Sequence, residues 1–143
     1  MRRTDSDTRL LTKPNNTADR PVEVAFRDAG LTLRIRGGAD VDRVLGAYRD
    51  LLDDPRFTPD MNSIWDLSEF DLREVALSEI RRLASAIREQ MPRRGSGFKA
   101  ALVTPRRVDF QLLRTYLVVL RLVGNLQLRA FTDVASAEAW LGN

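Results

Sequence analysis

Residues 98–131 read FKAALVTPRRVDFQLLRTYLVVLRLVGNLQLRAF, and they decide the fold. The stretch opens with a short apolar run of the type found in buried strands. Thr104 and Pro105 then predict the start of a helix, because a hydroxyl cap is followed by proline at the first helical position. Gly124 predicts its end, and the run from Leu126 to Phe131 predicts a further strand. A strand, a helix and a strand in succession indicate parallel neighbours in a sheet.

The rest of the chain extends this alternation towards both ends. Apolar and polar residues alternate on either side of a turn at Asp28–Gly30, which predicts a leading hairpin. Helix starts are indicated by Asp40, by Asp71 with Glu74, and by Asp133. The predicted elements outside 98–131 are strands at 22–27, 31–36 and 64–67 and helices at 41–52, 71–91 and 133–141. The order β-β-α-β-α-β-α-β-α predicts an α/β domain with a mixed, largely parallel five-stranded sheet packed by helices.

The length and composition bound the organisation of the chain. We predict a flexible polar tail at residues 1–21 and a single domain at 22–143, since 143 residues with 43% apolar content suit one core. The most apolar run, Leu117–Val123, is interrupted by Arg121 and is far shorter than the ~20 residues of a membrane helix. The N-terminus has no apolar core resembling a signal peptide. We therefore expect a cytoplasmic protein without a membrane span.

Cysteine and histidine are both absent from the sequence. Their absence removes disulfides, thiolate nucleophiles, the commonest metal ligand and the commonest general base near neutral pH. We expect no catalytic residues, no metal and no cofactor, and we do not expect an enzyme. The net charge of +3 divides into −4 over residues 1–80 and +7 over residues 81–143. The aromatic residues do not interleave with the basic ones, so we interpret the basic half as a solvated surface and expect no nucleic acid partner.

Three short segments carry a family resemblance: FTPDMNSIWDL at 57–67, the strand exit Asp66–Ser68, and FTD at 131–133 followed by AEAWL at 137–141. With the order of elements over residues 22–142, they resemble the STAS fold of anti-sigma-factor antagonists. The closer likeness is to the SpoIIAA-like group of small bacterial proteins, which is also likened to lipid-binding CRAL-TRIO domains. The resemblance implies a STAS-like fold and a role in regulation through protein contacts.

One departure from that family pattern concerns phosphorylation. Antagonists of this fold carry an Asp-Ser-Ser-Gly-like motif, whose serine is phosphorylated by a partner kinase. Residues 66–77 read DLSEFDLREVAL here, without a serine pair or a glycine at that spacing. Ser68 follows the strand directly and is not carried over as the acceptor, so a switch of this type is not expected.

A candidate ligand site follows from the predicted topology. Ligands of parallel sheets favour the carboxyl ends of the strands, where helix N-termini converge. That edge would hold Asp66 and Ser68 after the third strand and Thr104, Arg106 and Arg107 at the start of the third helix. Helix amides and two guanidinium groups would suit a phosphate or a carboxylate. The alternative is that Thr104 only caps the helix and the arginines are solvated.

The third helix is more apolar than one buried face requires. Nine of the twelve residues from Leu112 to Val123 are apolar, whereas about half would serve one face. The excess would meet a second subunit, an apolar ligand or a partner protein, or the helix would be buried more deeply by the N-terminal tail or the last helix. Among these we favour a homodimer. The predicted interface residues are Leu113, Tyr116, Leu117, Leu120 and Val123.

Two functions from different classes remain open at this point. The first is a non-enzymatic regulatory or protein-interaction module of STAS-like fold, acting as a homodimer or on another protein. The alternative is a carrier or sensor of a small lipid or anionic metabolite. In that case the third helix lines an apolar pocket, and Arg106 and Arg107 hold the head group.

Overall fold

The structure, a computed structural model, describes residues 21–27, 30–37, 39–95, 97–124 and 127–142. The strands are β1 (Val22–Arg27), β2 (Gly30–Arg36), β3 (Asn62–Glu69), β4 (Lys99–Val103) and β5 (Gln127–Phe131). The helices are α1 (Val41–Asp53), α2 (Leu77–Glu89), α3 (Met91–Arg94), α4 (Arg107–Gly124) and α5 (Val134–Leu141), with a 3-10 turn at Leu72–Glu74. The predicted tail at 1–21, apart from Pro21, and the hairpin turn at 28–29 lie outside the described residues. No helix in these ranges has both the length and the apolar character that a membrane crossing requires.

The strands form one sheet whose spatial order follows the chain, β1-β2-β3-β4-β5. β1 runs antiparallel to β2, with Val22 opposite Ile35, and β2 to β5 are parallel, with Asp66 opposite Val103. The predicted mixed, largely parallel α/β sheet is confirmed. Residues of α1, α2 and α4 pack with the sheet in the same core, so these three helices share one face. Crossovers of one hand that all step the same way along a sheet place their helices in this manner.

The main core fills the space between that face and its three helices. Leu33 of β2 and Leu117 of α4 illustrate its depth, with exposures of 0% and 1%. On the opposite face α5 covers a smaller apolar cluster. Its buried members are Ile64, Ala101, Val103 and Ala137. The sheet therefore lies between a thick helical layer and one short helix.

The predicted starts of the first and last helices are confirmed by their capping hydrogen bonds. The backbone N–H of Arg43 donates to Asp40 Oδ1 at 2.8 Å, and that of Ser136 donates to Asp133 Oδ1 at 2.7 Å. Each carboxylate accepts from an N–H that has no partner within the helix, and each lies at the positive end of the helix dipole.

The second predicted helix is split, and the predicted start at Asp71 is wrong. Asp71 accepts a hydrogen bond from the backbone N–H of Arg73 at 2.9 Å and caps only the 3-10 turn, whereas α2 begins at Leu77. Val75 between them is extended, and its carbonyl accepts a hydrogen bond from the Tyr116 hydroxyl at 2.6 Å. That hydroxyl takes the place of a helical N–H. The break thus depends on a residue of α4, which local sequence does not reveal.

The predicted cap of the third helix is also wrong. Thr104 extends the sheet instead, since its backbone N–H donates to the carbonyl of Phe131 at 3.0 Å. Its side-chain oxygen is buried without a hydrogen-bond partner, and α4 begins at Arg107. Pairing of β4 with β5 thus continues past the residue at which the helix was predicted to start.

Candidate functional site

Asp66 and Ser68 lie together at the carboxyl end of β3, as the sequence predicts. The backbone N–H and the hydroxyl of Ser68 both donate to Asp66 Oδ1, at 3.0 and 2.5 Å. Arg34 of β2 approaches Asp66 Oδ2 at 3.4 Å. Both oxygens of this largely buried carboxylate therefore already have partners within the chain.

The second half of the predicted anion site is occupied by contacts of its own. Arg106 Nε lies 2.5 Å from Asp109 Oδ2, and its Nη2 donates to the carbonyl of Phe70 at 2.7 Å. Asp109 is 2% exposed, and sequence reasoning did not select it. Arg107 is exposed at the first position of α4. Among the described residues, no hydrogen bond or ion pair joins Arg106 or Arg107 to Asp66 and Ser68. The predicted site residues therefore belong to two hydrogen-bond networks that do not bond to each other.

The predicted interface residues of α4 lie inside the core. Leu113, Tyr116, Leu117 and Leu120 are 1% to 7% exposed and pack against the sheet and α2. They are unavailable to a second subunit, which corrects the prediction at these positions. The side chain of Val123 lies outside the described residues. The large apolar side chains that α4 exposes in the described residues are those of Val108, Val118 and Leu122.

Beneath the helices lies an apolar cavity of about 210 Å³, which we call the outer cavity. It opens near the carboxyl ends of β2 and β3 and is enclosed by α1, the 3-10 turn, α2 and α4. Its apolar lining consists of Ile35, Ala39, Val41, Val44, Trp65, Leu67, Phe70, Leu72, Val75, Ile80, Leu83, Leu102, Leu113, Tyr116 and Leu120. Asp40, Glu74 and Glu79 are its charged lining residues, whereas Arg106 and Arg107 are absent from it.

A second, smaller cavity of about 60 Å³ lies near the amino ends of β3 and β4; we call it the inner cavity. Trp65, Leu83, Leu102 and Leu120 line both cavities, so these side chains form the boundary between them. The inner cavity has three polar lining residues, Tyr48, Ser63 and Arg94. Its other lining residues are Ile87, Phe98, Ala100 and Leu128.

Arg94 is an arginine buried in the core, with 2% exposure. Its guanidinium carbon lies 3.6 Å from the centre of the Phe98 ring and 5.6 Å from that of Phe57. Its Nη2 donates to the carbonyl of Met61 at 2.5 Å, and its Nη1 has no hydrogen-bond partner. Burial lowers the pKa of Arg94, because a charge removed from water is destabilised. Burial likewise raises the pKa of the neighbouring Tyr48.

The backbone around Arg94 is held by a contact between two loops. The backbone N–H of Asp60 donates to the carbonyl of Arg94 at 2.9 Å, and the N–H of Gly97 donates to Asp60 Oδ1 at 2.7 Å. Gly95 has a φ of 94°, a left-handed conformation that favours glycine. Met91–Arg94 forms the short helix α3, so helical structure continues past the predicted end of the second helix at residue 91. Nothing in the pair Arg93-Arg94 signals which guanidinium enters the core.

The described residues contain no group of three or more acidic side chains placed to hold a metal ion. Comparison with known proteins adds no relative: no family model, no curated protein and no solved structure matches this chain.

Proposed function

We propose that this chain is a non-enzymatic binding module that holds a small apolar molecule in the outer cavity. The observation that carries the proposal is the cavity itself, about 210 Å³ lined by apolar side chains of the sheet and three helices. Protein interiors are normally packed to crystal-like density, with few voids larger than a water molecule. An apolar cavity of this size that opens to solvent either leaves its lining in unfavourable contact with water or is filled by a ligand.

The volume restricts the size of the ligand. An engineered apolar cavity of ~150 Å³ accepts benzene, and pockets for drug-sized molecules begin at ~300 Å³. At about 210 Å³, the outer cavity suits a molecule larger than benzene and smaller than a typical drug. Such a ligand would contact α1, α2 and α4 at once, so its binding would tighten the whole helical layer.

The lining of the cavity supports binding rather than catalysis. Its titratable side chains are the carboxylates Asp40, Glu74 and Glu79 and the phenol of Tyr116. The Tyr116 hydroxyl already donates to Val75, and Asp40 already accepts from the N–H of Arg43. No nucleophile in this lining is paired with a base, which is the arrangement that covalent catalysis requires.

The STAS-like assignment belongs to the same proposal. The antiparallel first pair, followed by parallel strands in chain order with their crossover helices on one face, supports it. In this proposal the bound ligand tightens the helical layer, and a partner protein recognises the tightened form. The proposal therefore combines the regulatory module and the ligand sensor that were both considered from sequence.

Native mass spectrometry of protein purified without detergent tests the binding function. We expect a stoichiometric extra mass on the wild type. Val44→Phe should remove it, because Val44 is buried and lines the outer cavity. Val118→Phe is the matched control, since Val118 is 52% exposed on α4, and it should retain the mass. A bare wild-type mass, combined with no binding of added toluene in NMR titrations, would overturn the proposal.

A second candidate, an interaction module that associates with a second copy of itself, is favoured by the outer face of α4. Val118 and Leu122 lie one turn apart on that face and are 52% and 82% exposed. Val108, 64% exposed, lies ten residues before Val118, and the exposed polar side chains of Gln111 and Thr115 lie between them. The Arg121 guanidinium turns away from this outward row, since Nη2 donates to the carbonyl of Leu128 at 2.5 Å. Exposed apolar side chains on one helix face are suited to an isologous contact between two copies.

A further inference from the structure

We propose that the inner cavity receives a carboxylate against Arg94. The ligand would then be an apolar acid whose hydrocarbon part occupies the outer cavity. This inference rests on the proposed binding function and specifies its ligand class. It moves the head-group site from Arg106 and Arg107, at the sheet edge, to an arginine near the other end of the strands.

Arg94 is a buried charge without an ion-pair partner. It is 2% exposed, and no carboxylate of the described residues lies within ion-pairing distance of it. The Phe98 ring, the Met61 carbonyl and electrostatic attraction from Tyr48 and Asp60 offset part of the desolvation penalty, yet Nη1 still lacks a hydrogen-bond acceptor. Buried charges in native proteins are normally paired and hydrogen-bonded. A ligand carboxylate would supply both the missing charge and the missing acceptor.

A small cavity lies beside the guanidinium. Arg94 lines this inner cavity with the hydroxyl-bearing Ser63 and Tyr48, which are 2% and 4% exposed. The rest of its lining is apolar, so these three side chains mark the place in it where a polar group would be bound. Its volume of about 60 Å³ is too small for a whole apolar ligand, so that only the polar end would enter.

The two cavities are adjacent. Trp65 and Leu83 line both, so a chain that reaches from Arg94 into the outer cavity would displace these boundary side chains. Ser63 lines the inner cavity and Leu67 the outer one, and both belong to β3. At a rise of ~3.3 Å per strand residue, they are about 13 Å apart. A straight medium-chain acid suits this distance.

The carboxylates of the outer cavity do not reverse the preference for an acid. Asp40 and Glu74 are exposed, and Glu79 is half-buried and lies 3.2 Å from Arg82 Nε. Charges in contact with water are screened over ~8–10 Å at ordinary salt, whereas a charge in the core is screened much less. The sign of the buried group, Arg94, therefore decides the sign of the ligand.

Calorimetric titration with octanoate, 1-octanol, octylamine and acetate tests this inference on the wild-type chain. We expect octanoate to bind at least about tenfold more tightly than octanol, as a charge-assisted hydrogen bond in the core would give. Octylamine and acetate should bind more weakly than octanoate. Equal binding of octanol, or tighter binding of octylamine, would overturn the inference while leaving the apolar site intact. Acetate binding as tightly as octanoate would also overturn it, because a free anion would then suffice.

A variant pair separates the role of Arg94 from general effects of charge. Arg94→Met should abolish the preference for octanoate over octanol, and it should fold because apolar replacement of a buried charge is often neutral or stabilising. Arg93→Met is the matched control, since the side chain of Arg93 is 47% exposed and pairs with Asp53; it should keep the preference. A preference that survives in Arg94→Met would overturn the inference. Failure of all four compounds to bind the wild type would instead overturn the binding function itself.

Discussion

The guanidinium carbon of Arg94 lies 3.6 Å from the centre of the Phe98 ring, inside the core of the domain. The negative face of the aromatic ring offsets part of the energy needed to remove a cation from water. Phe98 directly precedes β4, and Arg94 ends α3, so this contact also joins the loop between them to the start of a central strand. The pair therefore places a guanidinium in the lining of the inner cavity.

The Arg94–Phe98 contact predicts a measurable coupling energy. Phe98→Leu should lower the free energy of unfolding by about 2 kcal/mol, through lost packing and the lost cation–π interaction. In an Arg94→Met background the same change should cost about 1 kcal/mol less, because only packing is then lost. Urea denaturation of the four proteins of this cycle measures the difference. Equal losses in both backgrounds would show that the ring does not stabilise the cation.

The hydrogen bond from the Tyr116 hydroxyl to the carbonyl of Val75, 2.6 Å long, holds the break between the 3-10 turn and α2. Tyr116→Phe removes the donor and leaves that carbonyl without its partner. We expect a loss of about 1–2 kcal/mol in the free energy of unfolding. Native-state hydrogen exchange should also show faster exchange in the first turn of α2.

A control for this change is available one residue earlier on α4. Thr115→Ala alters an exposed side chain whose hydroxyl donates only to the helix's own Gln111 carbonyl, at 3.4 Å. It should change stability by less than about 0.5 kcal/mol. Similar losses in the two variants would contradict a special role for the Tyr116 hydroxyl.

Much of the fold follows from local pattern. The alternation in β1 and β2 predicts their hairpin, and the helical spacing after Asp40 predicts α1 almost to the residue. Strand and helix alternation then constrains the sheet, because parallel neighbours need crossovers of one hand. The errors occur at Asp71 and Thr104, where contacts with Tyr116 and Phe131, distant in the sequence, replace the local cap.

The candidate site was predicted less well than the fold, because its contacts join segments that are distant in the sequence. Asp66 and Ser68 are neighbours in sequence and meet as expected, whereas Arg106 is held by Asp109 and Phe70. Arg94 has no signal in the sequence, since arginine is usually exposed and its burial depends on rings contributed by separate segments. The apolar excess of α4 proved to reflect both deep burial and a separate outward row.

The ion pair between Asp54 and Arg56 predicts a pH dependence of stability. The Arg56 guanidinium, with Nε 3.0 Å from Oδ1 and Nη2 2.8 Å from Oδ2, lowers the pKa of Asp54 to about 2. A carboxyl whose pKa is lower in the folded state stabilises the fold above its unfolded value and loses this contribution as pH falls through the folded one. The contribution should therefore disappear between about pH 4 and pH 2.

Chemical denaturation between those pH values, with NMR titration of the Asp54 carboxyl, measures this effect. Asp54→Asn should reduce the slope of stability against pH, and Arg56→Gln should reduce it less, because the backbone N–H of residue 56 still donates to Asp54 Oδ1. High salt should weaken the effect, since both groups are in contact with water. A slope unaffected by either substitution would show that the pair does not stabilise the fold.

The outward row on α4 predicts where a homodimer would form. If two copies associate through Val108, Val118 and Leu122, then Leu122→Glu should dissociate them, because Leu122 is 82% exposed and a charge buried in an apolar contact lacks a partner. Analytical ultracentrifugation at micromolar concentration should show a dimer for the wild type and a monomer for the variant. Leu77→Glu, at a 42% exposed position on α2, should leave the dimer intact. A wild-type monomer at all concentrations would exclude self-association through this face, and dissociation by Leu77→Glu as well would place the contact elsewhere.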